Sequence, residues 1–390
     1  LLVWILGGAF SLAGAGVYTE LGERFPEAGG IYRYLERSYG PLPAFLYGWA
    51  CFWAIMSGGI AALAVGAAQY AIGFLTSLCP WWKPEGTLEV RGAAVGGILL
   101  LSALKAFFPN TSWVAHHALT TLKVVAGAAF ALALLARGSW PLEQTVALSP
   151  SGWLAGLGPA LLAVLWTFDG FYAATFRTES FDNPEKTVGR SIHFGVALLL
   201  ALYLLLQLGY LAALPVSELA NTQRPAEAAA LRALGPTWSQ SVSLIVAVSA
   251  FGCLSSTILY SAWIYPAMAQ DGVFLKYMAQ LSRFGTPARA IWSQSAWACL
   301  LAATGSFREI YTYVVFAVVV FHLAAAIAVL RLRPKPSRSR QMGAFLFAAA
   351  SVSLLTDTLQ NQATESAFGL AILAAGVPAF WFWKQRGFAR

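Results

Sequence analysis

Leu165-Trp166-Thr167-Phe168-Asp169-Gly170-Phe171-Tyr172 stands in the middle of an apolar run over 153–178. The run reads as a membrane-spanning helix with a carboxylate beside a glycine at its centre. An ionisable side chain inside a span is costly, so Asp169 marks a functional site by default. Glycine costs about 1 kcal/mol against alanine in a helix interior, and Gly170 is where the span is expected to break. A break at that depth frees backbone N–H and C=O groups, which are tolerated only where they line a cavity or bind something. Transporters use such discontinuous helices, aiming the N-terminal end of a half-helix at an anionic substrate group. The plainer alternative is a neutral carboxylic acid capping its own half-helix, and the two readings are compatible.

Outward from this stretch the chain repeats the same pattern. Apolar spans are read at 1–18, 42–75, 90–108, 113–136, 153–178, 190–214, 238–268, 287–304, 308–330, 343–357 and 366–383. Those over 42–75 and 153–178 exceed the roughly 20 residues that cross a bilayer, so each is expected to be tilted, broken or extended. Of the 390 residues, 58% are hydrophobic and 11% charged, where soluble domains carry about 25% charged residues. That balance excludes a soluble enzyme, a disordered chain and a disulfide scaffold. Run length and the lack of ten-residue alternating segments favour helices over a barrel. The expected fold class is all-α: a polytopic membrane protein of about 11 transmembrane helices in one domain.

The net charge of +8 is read as an orientation signal, with no nucleic acid implied. With the 19–41 loop in the cytoplasm, 18 of the 25 basic residues fall on the cytoplasmic side and 6 outside, with Lys123 left within a span. The positive-inside rule favours this arrangement, which puts the C-terminus in the cytoplasm and Leu1 outside. A further N-terminal span is therefore expected ahead of Leu1. The four cysteines, Cys51, Cys79, Cys253 and Cys299, show no zinc spacing. The four histidines are too few for a rich metal site, and only His116 and His117 are neighbours. No metal and no cofactor is expected, and no P-loop or hydrolytic motif is present.

Lys123, in Thr120-Thr121-Leu122-Lys123-Val124-Val125, is the second charged residue within a span. It either snorkels to the interface or is buried, paired and able to carry a coupling proton. It would equally serve as a fixed positive charge where another transporter binds a cation. Gly58-Gly59 reads as helix packing. Ser255, Ser256 and Thr257 either line a path or bond within their own helix. Trp81-Trp82 and Trp381-Phe382-Trp383 fit interfacial belts.

Together these residues resemble the amino acid permeases of the amino acid–polyamine–organocation superfamily, nearest the L-type amino acid transporter group. The resemblance runs in order over about residues 1–335. It rests on Leu1–Gly8, Tyr18-Thr19-Glu20-Leu21-Gly22, Phe25-Pro26-Glu27-Ala28-Gly29-Gly30 and Tyr39–Trp49. Further along it rests on Phe168–Tyr172, Thr178-Glu179, Asn183-Pro184-Glu185, Asp271-Gly272 and Gly285-Thr286-Pro287. It implies twelve spans, ten of them in two inverted five-helix repeats, with residues 1–18 matching the second helix. The chain would then hold the remainder of the first repeat over 1–136, the second repeat over 153–330 and two C-terminal helices over 343–383. The resemblance also implies substrate between the family's broken first and sixth helices, the first holding the carboxylate. Phe168, Asp169, Gly170, Phe171 and Tyr172 match the sixth-helix break, which contacts the substrate's amino group and side chain. Lys123 matches the lysine that replaces a sodium ion in sodium-independent members.

Three departures stand out. Phe171-Tyr172 replaces the family's usual Trp-Asn. The eighth-helix arginine is replaced near Trp263, and Gln270 precedes Asp271 where a basic residue is usual. The expected activity is secondary transport of an amino acid by alternating access, as antiporter or symporter, and not enzymatic turnover. The alternative is a sensor or degenerate paralogue that binds without transporting. The expected surroundings are the lipid bilayer of the plasma or inner membrane. A glycoprotein heavy chain joined through Cys79 is the one protein partner the resemblance suggests.

Overall fold

The computed structural model describes residues 1–27, 29–79, 81–82, 86–108, 113–141, 150–180, 183–304 and 307–385. Outside the described residues lie Ala28 and Pro80, and also the side chains of His116, His117, Thr178, Glu179, Pro184 and Glu185. The described residues are helical with short connections, without strands. In chain order the helices are α1 (Leu2–Arg24), α2 (Ile31–Tyr39), α3 (Pro41–Leu78), α4 (Thr87–Phe107) and α5 (Trp113–Arg137). Next come α6 (Pro150–Phe168), a 3₁₀ stretch over Phe171–Ser180, α7 (Pro184–Ala213), α8 (Val216–Asn221) and α9 (Pro225–Leu234). The series ends with α10 (Pro236–Ser261), α11 (Ile264–Gln270), α12 (Ala288–Thr304), α13 (Phe307–Arg331), α14 (Arg338–Asn361) and α15 (Ala363–Gln385).

Among the described residues, 9 helical segments are long and apolar enough to cross a membrane. The two expected spans that fall short are α12, at 17 residues, and α6. The run over 153–178 is not one helix, because α6 stops at Phe168. The run over 42–75 is one helix of 38 residues with a π turn at Cys51–Ile55. That turn widens the helix and leaves carbonyls without their usual partners. Ser57 Oγ donates to Phe52 O at 2.7 Å, and Trp297 Nε1 donates to Trp53 O at 2.8 Å. Met56 and Gly59 follow directly on the widened turn.

Small residues set the close approaches. On α1, a Cβ at Gly8 would stand 2.5 Å from Leu200 of α7, and one at Gly14 would stand 2.8 Å from Phe347 of α14. Any larger residue would displace the Leu200 or Phe347 side chain. At the end of α10 a buried polar knot joins three helices. Ser261 Oγ donates to Gln294 Oε1 at 3.0 Å, Gln294 Nε2 donates to Ile258 O at 2.7 Å, and Ser57 Oγ reaches Gln294 O at 3.4 Å. Such groups are inexpensive to bury only because each is paired. Trp383 departs from the interfacial reading: it packs on Phe45, Trp49 and Phe274 within the fold.

Candidate functional site

The break in the 153–178 run has a clear local cause. Gly170 sits at φ +89°, a conformation L side chains rarely adopt. With the helix stopped, its last carbonyls lose their partners four residues on. Tyr203 of α7 makes good one of them, its hydroxyl donating to Thr167 O at 2.8 Å. The chain then turns, Ala173 N bonding to Gly170 O at 2.8 Å, and continues as the 3₁₀ stretch. Asp169 lies in the turn, its backbone N–H bonded to Trp166 O at 3.3 Å. The C-terminal end of a helix carries partial negative charge. This break therefore presents a negative face, fit for a cation.

That face looks into a cavity of about 540 Å³, within the size range of small-molecule sites. Its walls are Ile55, Met56, Gly59 and Leu63 of α3, Thr120 and Lys123 of α5, the break itself, Tyr203 of α7, and Cys253, Ser256, Thr257 and Tyr260 of α10. Lys123 Nζ donates to Ser249 O at 2.9 Å, in the middle of α10, and lies 3.6 Å from Cys253 Sγ. Among the described residues its ammonium makes no ion pair, so the positive charge rests on a carbonyl and a thiol beside the cavity. A second cavity of about 510 Å³, lined mainly by apolar residues of α5, α7 and α10, also touches Lys123.

The six residues singled out from the sequence divide into two groups. Asp169, Gly170 and Lys123 line the large cavity. Phe168 is 1% exposed and packs on Trp4 and Tyr203 instead. Phe171 and Tyr172 turn toward Tyr18 of α1. Ser256 and Thr257 satisfy both readings offered for them: each hydroxyl bonds to its own helix, at 3.1 and 3.0 Å, and each lines the cavity. Gly59 is not a packing glycine. A Cβ there would find only Trp166, 3.8 Å away, so its hydrogen keeps the cavity wide. Tyr203, Tyr260 and Met56 were not legible as site residues, because aromatic and apolar side chains in an apolar run look like core. Cys79 is a free, half-buried thiol at the end of α3.

At one end of the bundle a different cluster joins the two halves of the chain. Tyr32 Oη donates to Asp271 Oδ2 at 2.8 Å, and Arg33 meets Asp271 through two bonds of 2.7 and 3.2 Å. Arg33 also meets Glu36 at 2.6 Å. Burial works against the Arg33 charge, but its hydrogen bonds to Glu36 and Asp271 outweigh that and hold the proton more firmly than usual. Burial, joined by the Asp271 carboxylate, pushes the Tyr32 hydroxyl up, so it stays a donor. The adjoining turn explains the glycines of Phe25–Gly30. Gly29 and Gly30 have φ of +116° and +52°, and the Gly29 N–H bonds to Phe176 O at 3.2 Å, seating the turn on the 3₁₀ stretch. Asp271-Gly272, part of the resemblance, thus serves as the far half of this clasp.

Several amino acid transporters have sequences similar to this chain. The chain is 28% identical to the human b(0,+)-type amino acid transporter 1 over 329 residues, which cover 83% of this chain and 66% of that relative, so it spans about two thirds of that protein's length. It is 26% identical to the serine/threonine exchanger SteT of Bacillus subtilis (strain 168) over 401 residues, 99% of this chain and 89% of that one. It is 24% identical to the human cystine/glutamate transporter over 397 residues, 98% of this chain and 77% of that one. The amino acid permease family profile matches residues 1–383, and with nearly the whole chain matched, this membrane-spanning protein belongs to the amino acid permease family.

Proposed function

We propose that the chain is the core of a secondary transporter that moves amino acids by alternating access, with the large cavity as its substrate site. The observation that carries this reading is the meeting of opposite charges on one cavity, Asp169 with the negative end of α6 and Lys123 of α5. An amino acid is a zwitterion, and such a site offers its ammonium a carboxylate and the negative end of a helix. Charge-assisted hydrogen bonds of this kind contribute about 1.5–3 kcal/mol each. Lys123 supplies a fixed positive charge that stands in for a bound sodium ion. In this reading 1–136 and 153–330 form the two repeats that rock against each other, with 343–383 appended. The clasp of Tyr32, Arg33 and Asp271 lies at the cytoplasmic end, as does the C-terminus.

L-serine and L-threonine are the first substrates to test, since the Bacillus subtilis relative exchanges them. The test is counterflow of radiolabelled L-serine and L-threonine into proteoliposomes preloaded with the same amino acid. Accumulation that falls about tenfold or more in Asp169→Asn and changes its kinetics in Lys123→Ala supports the reading. Unchanged kinetics in both variants overturn the site. Saturable binding without counterflow turns the reading toward a sensor.

A further inference from the structure

His322 stands in the middle of α13, 4% exposed, and the substrate site described above makes no use of it. Its Nδ1 lies 2.6 Å from the hydroxyl of Tyr18, which is wholly buried on α1. The rings of Phe171, Tyr172 and Phe347 surround it, with centroids 5.4–6.0 Å away. The broken helix nevertheless reaches this place. Asp169, which lines the large cavity, also lines a small cavity of about 20 Å³ together with His322 and Ser11. That volume has room for one water, which needs two to four polar partners. The Asp169 carboxylate, the imidazole and the Ser11 hydroxyl are the polar side chains of the lining.

The elements packed on α13 bring few other titratable groups toward His322. Tyr18 comes from α1, Tyr172 from the 3₁₀ stretch and Asp169 from the turn between. Tyr47 of α3 meets the neighbouring Phe321, with Cys51 one turn further along α3. Tyr39 of α2 donates to Ala324 O at 2.7 Å. The α14 helix presents only the Phe347 ring at this point. The carboxylate of Asp169 is thus the acidic group that His322 faces.

We propose that His322 is the proton-accepting partner of Asp169 across this small cavity, so that arrival of an amino acid's ammonium is linked to the movement of one proton inside the protein. The proposal rests on the reading of Asp169 as the anchor of that ammonium. Before substrate arrives, the Asp169 carboxyl and the imidazole share one proton through that water, and the imidazole keeps its Nδ1–H toward the Tyr18 oxygen. This tautomer leaves the Nε2 lone pair for the cavity. An approaching ammonium favours the carboxylate. One proton then leaves the Asp169 oxygen for the water, and the water passes one of its own to Nε2. The products are a carboxylate beside the ammonium and an imidazolium still bonded through Nδ1–H to Tyr18. Charge within the pair is conserved. Tyr18 acts as a positioning residue, fixing the tautomer and the ring.

The experiment follows the imidazole itself. Protein labelled with ¹⁵N-histidine contains four histidines, and the signal lost in His322→Gln identifies the one in question. In purified protein reconstituted in lipid without substrate, the His322 signal is expected to titrate. Its midpoint is expected to fall by about one pH unit or more in Asp169→Asn, because the carboxylate that favours the imidazolium is gone. Tyr18→Phe, which keeps the ring, is expected to shift the tautomer balance in the same spectrum. A His322 signal that titrates alike in the native protein and Asp169→Asn overturns the proposal, as does one that never titrates between about pH 4 and pH 9. In L-serine counterflow, His322→Gln is expected to flatten the pH profile while His193→Gln keeps it. A native profile that is itself flat also overturns the proposal. Loss of counterflow in Asp169→Asn is judged separately, as the test of the substrate site, and the spectra need no substrate.

Discussion

Partly buried charge is handled in two opposite ways in this molecule. At the clasp, every charged group finds its complement in the chain: Arg33 holds both Asp271 and Glu36, and Tyr32 adds a further donor to Asp271. At the large cavity the charges are held only in part. Lys123 rests on a carbonyl and a thiol, and the Asp169 carboxylate lines the cavity without an ion pair among the described residues. A satisfied network fixes two segments relative to each other, whereas a half-satisfied one is costly and persists where a ligand completes it. On this contrast the clasp is a mechanical element and the large cavity, in the proposed reading, a binding one.

The sharpest way to break this comparison is at Asp169. If its carboxylate meets the substrate ammonium, Asp169→Asn keeps the shape and removes the charge. The loss of one charge-assisted hydrogen bond, about 1.5–3 kcal/mol, corresponds to a roughly 10- to 150-fold fall in the transport ratio kcat/KM for L-serine. Thermal stability in detergent is expected to hold or rise, because a partly satisfied carboxylate has left the interior. A variant that melts earlier yet transports normally would make Asp169 a structural group like those of the clasp.

Arg33→Ala should give the reverse pattern. Arg33 and Asp271 are 18% and 25% exposed at their side chains, and removing the guanidinium leaves two carboxylates without their cation. The expected cost is about 1–3 kcal/mol of stability, read as an earlier melting transition, with substrate affinity little changed. Asp271→Ala should cost less once Arg33 is already Ala, a coupling of about 1 kcal/mol or more. Additive effects in that double-mutant cycle would show that the clasp carries no linkage between the two halves.

Much of this was legible in the sequence. Apolar runs gave the spans, and Asp169-Gly170 gave the break, because a carboxylate and a glycine in a membrane run have few other uses. The same rule applies with equal force to His322, an ionisable residue deep in the run over 308–330, which the full charges of Asp169 and Lys123 overshadow. The direction in which each neighbour points was beyond reach. Phe168 turns to Trp4 while Asp169 turns to the cavity, and that difference arises from the φ of Gly170 and the hydrogen bond from Tyr203. The clasp was hidden for another reason. Arg33 and Asp271 are 238 residues apart in sequence, and each alone is an ordinary loop charge. The π turn at Cys51–Ile55 depends on Trp297, which only the fold brings near Trp53.

Gly59 offers the smallest and most discriminating effect. Gly8 and Gly14 cannot take a Cβ without displacing Leu200 or Phe347, but a Cβ at Gly59 would stand 3.8 Å from the nearest atom, at Trp166. Gly59→Ala should therefore fold without penalty and gain slightly in stability, since alanine favours a helix by about 1 kcal/mol over glycine. Its methyl group would stand at the wall of the cavity, where one methylene is worth about 1–3 kcal/mol of discrimination. L-serine transport should change little, while larger amino acids lose affinity by severalfold, in order of side-chain volume. Competition of unlabelled amino acids against labelled L-serine measures this ordering directly. If Gly59→Ala weakens all competitors alike or none, the α3 wall does not bound the substrate side chain. The cavity would then take its selectivity from α10, where Ser256, Thr257 and Tyr260 face the same space.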